Sequence, residues 1–227
     1  MAGQYRHEQK YYINYATYHI LRNRLKVILQ PDENAGPDGA YHIRSLYYDD
    51  RYESSLTTKI AGVDERTKYR VRIYNYSNKV IRLERKAKKG AYILKHSCGL
   101  TLTEYEKLRN NDVAFLLKKA KPPCGAVYAA IMNDGLRPVK VVDYRREAYT
   151  HPVEDVRITF DMDLRMGTDF DIFNPDMFTV PMLEKGQMIL EIKFNKFMPG
   201  FIRDIFMDVE STPSAISKYA ICRKFDV

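Results

Sequence analysis

The sequence has little cysteine, and Cys98, Cys124 and Cys222 are far apart and match no CxxC or Cys/His metal spacing. This argues against a disulfide framework or a zinc site and fits a reducing cytoplasm. No uncharged apolar stretch reaches the roughly 18 residues of a membrane-spanning helix. The start, MAGQYRHEQK, carries charge where a secretory signal would need an apolar core. We therefore predict a soluble cytoplasmic protein.

The 227 residues contain no Pro/Gly/Ser-rich linker, low-complexity run or internal repeat. The chain is long enough to bury a substantial core, so we expect a single domain over residues 1–227. The formal net charge of +8 favours a polyanionic partner: nucleic acid, an acidic membrane surface or a phosphate-rich small molecule. Charge alone does not choose among these.

Alternating polar and apolar residues predict about eight strands, over 4–15, 40–49, 67–77, 79–88, 91–97, 139–150, 153–163 and 187–197. Helical spacing and end signals predict helices over 17–29, 103–120, 124–134 and 200–207, and another from Thr212 as N-cap. Thr103 and Glu106 match a capping box. Two of the strands form a predicted hairpin that turns at Ser77-Asn78. This order of elements favours an α+β fold.

In several predicted strands the charged residues lie on one face and the apolar residues on the other, because residues two apart share a face. The polar sets are Arg6, Glu8 and Lys10; Lys68, Arg70 and Arg72; Arg82, Glu84, Lys86 and Lys88; Tyr144 and Arg146; Arg157, Thr159 and Asp161; Glu191 and Lys193. For one strand alone, the solvated side of a sheet is the simpler interpretation. Together, these faces concentrate positive charge that repels itself unless an anion is bound.

If helices cover the apolar faces, the charged faces must turn inward. A barrel of about eight strands encloses a space just wide enough for one extended ligand. The sequence therefore predicts an α+β fold with a closed antiparallel β-barrel tunnel of about eight strands and helices packed outside. Arginine pairs bidentately with phosphate and lysine supplies a mobile charge, so the mixed lining suits a chain of phosphoryl groups.

Acidic residues lie among the basic ones. A carboxylate and a phosphate repel each other unless a divalent cation lies between them, so Glu191 is a candidate Mg²⁺ or Mn²⁺ ligand, with Glu8 or Glu84 as further candidates. An ion pair with a neighbouring arginine accounts equally well for Glu8 and Glu84.

The sequence resembles the triphosphate tunnel metalloenzymes (CYTH-like proteins). It most closely resembles their polyphosphate polymerase branch, typified by the catalytic domain of the vacuolar transporter chaperone (VTC) complex. The resemblance covers nearly the whole chain and rests on RHEQKYYI, SLYYDD, Lys59 with TKYRVRIY, LERK, YRREAY, VRITFD, LEIKF and SKY.

The resemblance implies metal binding by Glu191 and catalytic roles for Arg70, Arg72, Lys86, Arg146 and Lys193. It implies phosphate binding by Lys10, Lys59, Lys68, Arg70, Arg72, Lys86, Arg146, Lys193 and Lys218, with Tyr144 and Ser217 seating terminal phosphates. Ala215 departs from the eukaryotic pattern, which has a lysine at that position. The first strand has one acidic residue, Glu8, where the triphosphatase and cyclase branch has two, and this argues against those activities.

The function implied is metal-dependent phosphoryl transfer, most specifically polyphosphate synthesis from ATP with Mn²⁺ or Mg²⁺. The alternatives are a triphosphatase of the same fold, acting on inorganic triphosphate or nucleotides, and a non-catalytic polyphosphate or nucleotide binder. Nucleic acid is disfavoured because the aromatic residues form no exposed stacking platform. Family analogy adds a membrane-protein partner and peripheral association with a membrane, and the sequence leaves the oligomeric state open.

Overall fold

A computed structural model describes residues 7–90, 92–207, 209 and 212–224 of the chain, which has the predicted α+β class. The strands are β1 (His7–Ile13), β2 (Gln30–Pro31), β3 (Ala40–Asp49), β4 (Arg66–Tyr74), β5 (Ser77–Lys89), β6 (Tyr92–Leu100), β7 (Arg137–His151), β8 (Val156–Gly167), β9 (Val180–Pro181) and β10 (Met188–Phe194). The α-helices are α1 (Tyr15–Ile28), α2 (Ser54–Ile60), α3 (Leu102–Arg109), α4 (Ala114–Lys118), α5 (Cys124–Asp134), α6 (Gly200–Arg203) and α7 (Lys218–Cys222). Short 3₁₀ turns cover Val153–Asp155 and Asp204–Phe206.

All eight predicted strands are confirmed, with β3 matching its predicted bounds. Helix α5 also matches, and it ends where Gly135 adopts a left-handed conformation with φ 67°. Helix α2 was not predicted from the sequence. The first residues of the predicted N-terminal strand, 4–6 with Arg6, lie outside the described residues.

Four local predictions are wrong. The helix predicted over 103–120 is two helices, α3 and α4, because the chain turns between them, where Asn111 has a φ of 62°. The other three also have a structural reason. Strand β6 continues to Leu100, so the capping box uses Thr101 and Glu104 rather than Thr103 and Glu106. The hairpin turns two residues earlier than predicted, at Asn75-Tyr76, where both φ angles are positive as a type I′ turn requires. Residues 212–217 are not helical because this segment bonds to β1, with Ser214 N donating to Lys10 O at 2.8 Å.

The chain divides into two compact units. The first unit comprises Met1–His42, Tyr144–Arg165 and Pro181–Ser217, and the second comprises Ile43–Asp143, Met166–Val180 and Lys218–Val227. Because each unit is assembled from three separate segments, the division does not fall at a linker. The expectation of a single domain stays a prediction.

In the first unit, helix α1 covers the apolar face of the sheet. The hydrogen-bonded strand order is β1-β10-β8-β7. Leu21 and Leu25 of α1 pack against Ile158, Phe160 and Leu190 in one buried cluster. The helix starts at its N-cap Asn14, whose side chain accepts a hydrogen bond from the backbone of the first turn. The other face of these strands therefore carries the polar residues, as the alternation predicts.

In the second unit, helices α3 and α5 cover the apolar face. The strand order is β7-β3-β4-β5-β6, with β7 passing from one unit to the other. Val71 and Leu83 pack with Tyr105 and Val127 in the core. The core also brings two thiols together, since Cys98 Sγ lies 3.1 Å from Cys124 Sγ, although their separation in sequence gives no sign of it. The three cysteines form no disulfide with one another, and all three are buried.

The prediction of a closed barrel is wrong. A closed barrel gives every strand two hydrogen-bonded neighbours. The strand order begins at β1 and ends at β6, and within the described ranges each of these has one long neighbour, β10 and β5 respectively. The sheet is therefore open. No helix in the described part of the chain is long and apolar enough to cross a membrane.

A buried ion pair holds part of the second unit together. Arg44 is only 2% exposed, and its Nη2 lies 2.6 Å from Asp143 Oδ2. The same guanidinium donates to the backbone oxygens of Ile172 and Asn174, which fixes the 170–174 segment. Removing one partner of such a pair leaves a buried, uncompensated charge.

We therefore expect Arg44→Met to lower the free energy of unfolding by about 3 kcal/mol, measured by urea denaturation. The double variant Arg44→Met/Asp143→Leu should recover part of this loss, because no charge is then left unpaired. A loss below about 0.5 kcal/mol in the single variant, as for an ordinary surface substitution, would contradict this role for Arg44.

Candidate functional site

One face of β4, β5 and β6 in the second unit carries concentrated positive charge. This basic face consists of Arg66, Lys68, Arg70, Arg72, Arg82, Lys86, Lys88 and Lys95, together with the single acid Glu84. Between β4 and β5, Arg66 lies opposite Lys88, Lys68 opposite Lys86, and Arg72 opposite Arg82. Like charges directly opposite each other destabilise a sheet. An anion bound on the face would relieve this repulsion.

Glu84 is the exception, because each of its carboxylate oxygens forms an ion pair with a basic side chain. Its Oε2 lies 2.6 Å from Arg70 Nη2, and its Oε1 lies 2.7 Å from Lys95 Nζ. Burial raises the pKa of the Glu84 carboxyl, but the charges of Arg70, Arg72 and Lys95 outweigh burial and hold the pKa well below its usual range. The ion-pair interpretation accounts for Glu84 in these surroundings, and its metal role stays a prediction.

Strand β3 extends the basic face with hydroxyl groups. Tyr47 lies opposite Arg70 and Ser45 opposite Arg72. Arg70 Nη1 donates to Tyr47 Oη at 2.8 Å, and Arg72 Nε donates to Ser45 Oγ at 3.2 Å. These hydroxyls hold both guanidinium groups at defined positions on the face.

Asp49, at the end of β3, anchors two short helices that carry predicted phosphate ligands. Its Oδ1 accepts from Ser55 N in the first turn of α2 at 2.9 Å, and its Oδ2 accepts from Tyr219 Oη in α7 at 2.6 Å. Helix α2 carries Lys59 and helix α7 begins with Lys218. The carboxylate therefore positions both lysine-bearing helices against β3.

The first unit contains a second charged group of residues, in which acids and bases alternate. This mixed cluster consists of Glu8 and Lys10 on β1, Arg146 on β7, Asp161 on β8, and Glu191 and Lys193 on β10. In the β1–β10 register, Lys10 lies opposite Glu191 and Glu8 lies opposite Lys193. Unlike those of the basic face, these cross-strand pairs join opposite charges and stabilise the sheet.

Lys10 lies between two carboxylates of the mixed cluster. Its Nζ is 2.6 Å from Glu8 Oε1 and 3.4 Å from Glu191 Oε1. Burial lowers the pKa of Lys10, but Glu191 and Glu8 outweigh burial, so the pKa lies well above its ordinary value. Lys10 is therefore a permanent cation at this position.

Glu191 also contacts two other bases. Its Oε2 lies 2.9 Å from Lys193 Nζ and 3.6 Å from Arg146 Nη2. Burial, partly offset by Glu191 and Glu8, lowers the pKa of Lys193 to about 8. Arg146 binds Asp161 bidentately, at 2.6 and 2.7 Å, and its Cζ lies 5.4 Å from the Tyr144 ring centroid.

Two carboxylates of the mixed cluster, Glu8 and Glu191, are the candidate ligands of a divalent cation. Glu8 and Glu191 already share one cation, the Lys10 ammonium. Asp161 is occupied by Arg146, and no group of three or more metal-ligating side chains is found among the described residues. Mg²⁺ and similar ions are commonly bound by one or two carboxylates, with phosphate oxygens and water completing the shell. The donor set therefore matches an ion delivered together with a phosphate ligand.

The structure distributes the predicted site residues between the two units. The first unit holds Glu8, Lys10, Tyr144, Arg146, Glu191, Lys193 and Ser217, and the second holds Lys59, Lys68, Arg70, Arg72, Glu84, Lys86 and Lys218. Sequence reasoning missed Arg66 and Lys95 as members of the basic face. The period-2 pattern of TKYRVRIY extends to Arg66, and the same pattern in YILKHSC places Lys95 on the polar face. It also missed Tyr47 and Tyr219, which lie within the quoted SLYYDD and SKY motifs.

A family model for the VTC domain matches residues 5–225. The chain belongs to the VTC domain family. This confirms the resemblance stated from the motifs, and the match includes the described residues of both the basic face and the mixed cluster. A search of curated proteins found no significant match to the chain.

Solved structures share the fold at low sequence identity. The Hippeastrum protein HpAC1, an adenylyl cyclase candidate with a dominant triphosphatase activity, is 13% identical with a TM-score of 0.55, covering 96% of this chain and 94% of its own. An adenylate cyclase candidate from Bacillus halodurans is 13% identical with a TM-score of 0.51, covering 93% and 92%. The PH1819 protein from Pyrococcus horikoshii is 16% identical with a TM-score of 0.52, covering 97% and 99%. The VTC domain therefore has the fold of these proteins.

Proposed function

We propose that this VTC domain catalyses divalent-metal-dependent phosphoryl transfer, most specifically the synthesis of polyphosphate from ATP. The observation that supports the proposal is the register of β4 and β5, in which three of the four charged cross-strand pairs join like charges. Such a face is unfavourable in the free protein and favourable when phosphoryl groups neutralise it. Membership of the VTC domain family adds to this support.

The protein's part in the reaction is to align and neutralise phosphates. Arg70 and Arg72 present guanidinium forks at fixed positions, because Glu84, Tyr47 and Ser45 hold them. Preorganised donors of this kind stabilise the charge that develops during phosphoryl transfer. The residues in catalytic roles are Arg70, Arg72, Lys86, Arg146 and Lys193.

The acceptor is the terminal phosphate oxygen of the growing chain. It forms a bond to the γ-phosphorus of ATP while the bond from that phosphorus to the β–γ bridging oxygen breaks, and ADP leaves. The acceptor oxygen is already ionised at neutral pH, so the protein needs no general base. Glu191 and Glu8 would hold Mg²⁺ or Mn²⁺, which supplies further charge neutralisation when bound.

A second candidate is hydrolysis of triphosphate, which is favoured by the shared fold with HpAC1 and its dominant triphosphatase activity. In that reaction water replaces the polyphosphate chain as acceptor, and the same basic residues bind the substrate. The two candidates differ in product, since only the first lengthens a polyphosphate chain.

The test is incubation of the purified protein with ATP and Mn²⁺ or Mg²⁺, with a chelator-treated sample as control. Gel electrophoresis detects polyphosphate, and a colorimetric assay detects orthophosphate. Long-chain product together with ADP supports polyphosphate synthesis. Orthophosphate without a long product selects the triphosphatase. Tight, salt-sensitive binding of ATP or polyphosphate without turnover in either metal would overturn catalysis and leave a binding protein.

The proposal includes a cytoplasmic location, which the cysteine content favours, and a membrane-protein partner, which family analogy implies. Both stay predictions, and the same purified protein can be used to test for a partner by affinity capture from membrane extracts. A membrane protein that is captured by the wild type but not by a variant with surface substitutions would support the existence of such a partner.

A further inference from the structure

We propose that Tyr47 is a phosphate-binding residue of the basic face, donating its hydroxyl proton to a phosphate oxygen that Arg70 also binds. The inference rests on the proposed function, because it requires a phosphate ligand on this face. It adds a neutral hydrogen-bond donor to a set of ligands that the sequence predicts to be almost entirely charged.

The first argument is the position of the hydroxyl. Tyr47 lies directly opposite Arg70 in the β3–β4 register, so its side chain shares the face that carries the basic residues. Arg70 Nη1 donates to Tyr47 Oη at 2.8 Å. Within the described ranges, the Tyr47 hydroxyl has no second hydrogen-bond partner, so its own proton lacks an acceptor. The hydroxyl therefore has a donor to offer, and an anion bound to Arg70 would accept it.

The second argument is the rigidity of the ring. Tyr47 is 7% exposed and stacks on Tyr219, with ring centroids 4.9 Å apart and an interplanar angle of 21°. Tyr219 is itself held, since its hydroxyl donates to Asp49 Oδ2 at 2.6 Å and accepts from Arg223 Nη1 at 2.9 Å. The Tyr47 hydroxyl is therefore preorganised before a ligand arrives, which reduces the entropy lost on binding.

The third argument is electrostatic. The groups that face Tyr47 are Lys68, Arg70 and Arg72 on β4 and Tyr219 on α7, with Asp49 and Arg223 beyond Tyr219. Burial raises the pKa of the Tyr47 hydroxyl, but Arg70, Arg72 and Lys68 outweigh burial and lower the pKa to about 8. A phosphate on the same cations would neutralise them and return the pKa toward its ordinary value. Phosphate binding should therefore favour the protonated hydroxyl and weaken as pH rises through about 8.

The neighbouring residue is a matched control. Tyr48 is on the same strand but lies on the opposite face, in the core of the second unit. Its hydroxyl is buried without a hydrogen-bond partner within the described ranges, and burial raises its pKa. Tyr48→Phe removes the same atom as Tyr47→Phe at a site that does not face the basic residues.

The experiment measures binding of inorganic tripolyphosphate by isothermal titration calorimetry at neutral and mildly alkaline pH. Tyr47→Phe keeps the stacked ring and should bind about ten-fold more weakly at neutral pH, as expected for loss of a hydrogen bond to a charged group. Tyr48→Phe should bind as the wild type does. The wild type should lose affinity as pH rises through about 8, and Tyr47→Phe should lose less over the same interval.

The outcomes separate this inference from the proposed function. If the wild type does not bind tripolyphosphate, the proposed function fails and this inference fails with it. If the wild type and Tyr47→Phe bind equally well with the same pH dependence, the role of Tyr47 is overturned and the proposed function stands. If Tyr47→Phe does not fold, the ultraviolet absorbance of tyrosinate in the wild type tests the role of Tyr47 instead. Tripolyphosphate added at mildly alkaline pH must decrease that absorbance, and an unchanged absorbance would also overturn the role.

Discussion

Replacing Arg70 and Arg72 together with alanine should reduce the rate of phosphoryl transfer by at least about 1,000-fold. Both guanidinium groups are fixed on the basic face, by Glu84 and Tyr47 for Arg70 and by Ser45 for Arg72. A fixed donor aimed at developing negative charge contributes about 100- to 1,000-fold to a rate, so losing two exceeds the effect of losing one. The measurement is kcat/KM for ATP with Mn²⁺, followed by ADP release.

The charge-matched control for this double variant is Lys79→Ala/Lys118→Ala. Both lysines are exposed and lie in the second unit, outside the basic face, so the control removes the same total charge. It should keep kcat/KM close to that of the wild type. If the two double variants lose activity equally, overall charge rather than the basic face is responsible, and the assignment of Arg70 and Arg72 fails.

The second large effect is expected from Glu191→Gln. The substitution keeps the shape of the side chain but removes the charge that, with Glu8, would hold a divalent cation. Activity should fall by at least about 100-fold, and the metal concentration for half-maximal activity should rise. The measurement is a titration of activity with Mn²⁺ and with Mg²⁺.

Two other acid-to-amide substitutions make the metal assignment specific. Glu84→Gln should lower activity by loosening Arg70 but should leave the half-maximal metal concentration unchanged, because Glu84 is held in ion pairs with Arg70 and Lys95. Glu184→Gln, at an exposed position of the first unit, should change neither quantity. A shift in metal dependence for Glu84→Gln, without one for Glu191→Gln, would move the metal site to the second unit.

Period-2 alternation predicted the strands well because burial of one face imposes it directly. Val71 and Ile73 are completely buried while Lys68 and Arg70, on the other face, are not. On β10 the faces differ in partners, since Leu190 and Ile192 pack in the apolar core whereas Glu191 and Lys193 form an ion pair. Helix ends were predicted less accurately because two nearby sequences satisfied one rule. Thr101-x-x-Glu104 and Thr103-x-x-Glu106 both match a capping box, and the length of β6 decides between them.

Long-range features were beyond sequence reasoning. The closed barrel was inferred from the charged faces of about eight strands, which were expected to turn inward. Closure requires a hydrogen-bonded register between the first and last strands, which no local pattern encodes. Residues 212–217 have the Thr-Pro signature of a helix start, but bonding to β1 overrides this local preference. Tyr47 and Tyr219 lie 172 positions apart in the sequence, and their stacking depends on the docking of α7 against β3.

The candidate ligands were predictable as residue types on faces, but their partners were not. Lys10 and Glu191 come together because β1 pairs with β10, two strands from opposite ends of the chain. For Glu84, the alternation was compatible with two roles, as a metal ligand or as an ion-pair partner. The register that brings Arg70 and Lys95 beside Glu84 favours the ion pair.

The like-charge pairs of β4 and β5 also link folding to the supply of anions. A ligand that binds only the folded state raises its stability in proportion to the logarithm of ligand concentration above Kd. The thermal midpoint of the protein should therefore rise with tripolyphosphate, and more modestly with salt, which screens the repulsion of Arg66 from Lys88 and of Arg72 from Arg82. Thermal melts over increasing tripolyphosphate concentrations would then measure occupancy of the face without any turnover.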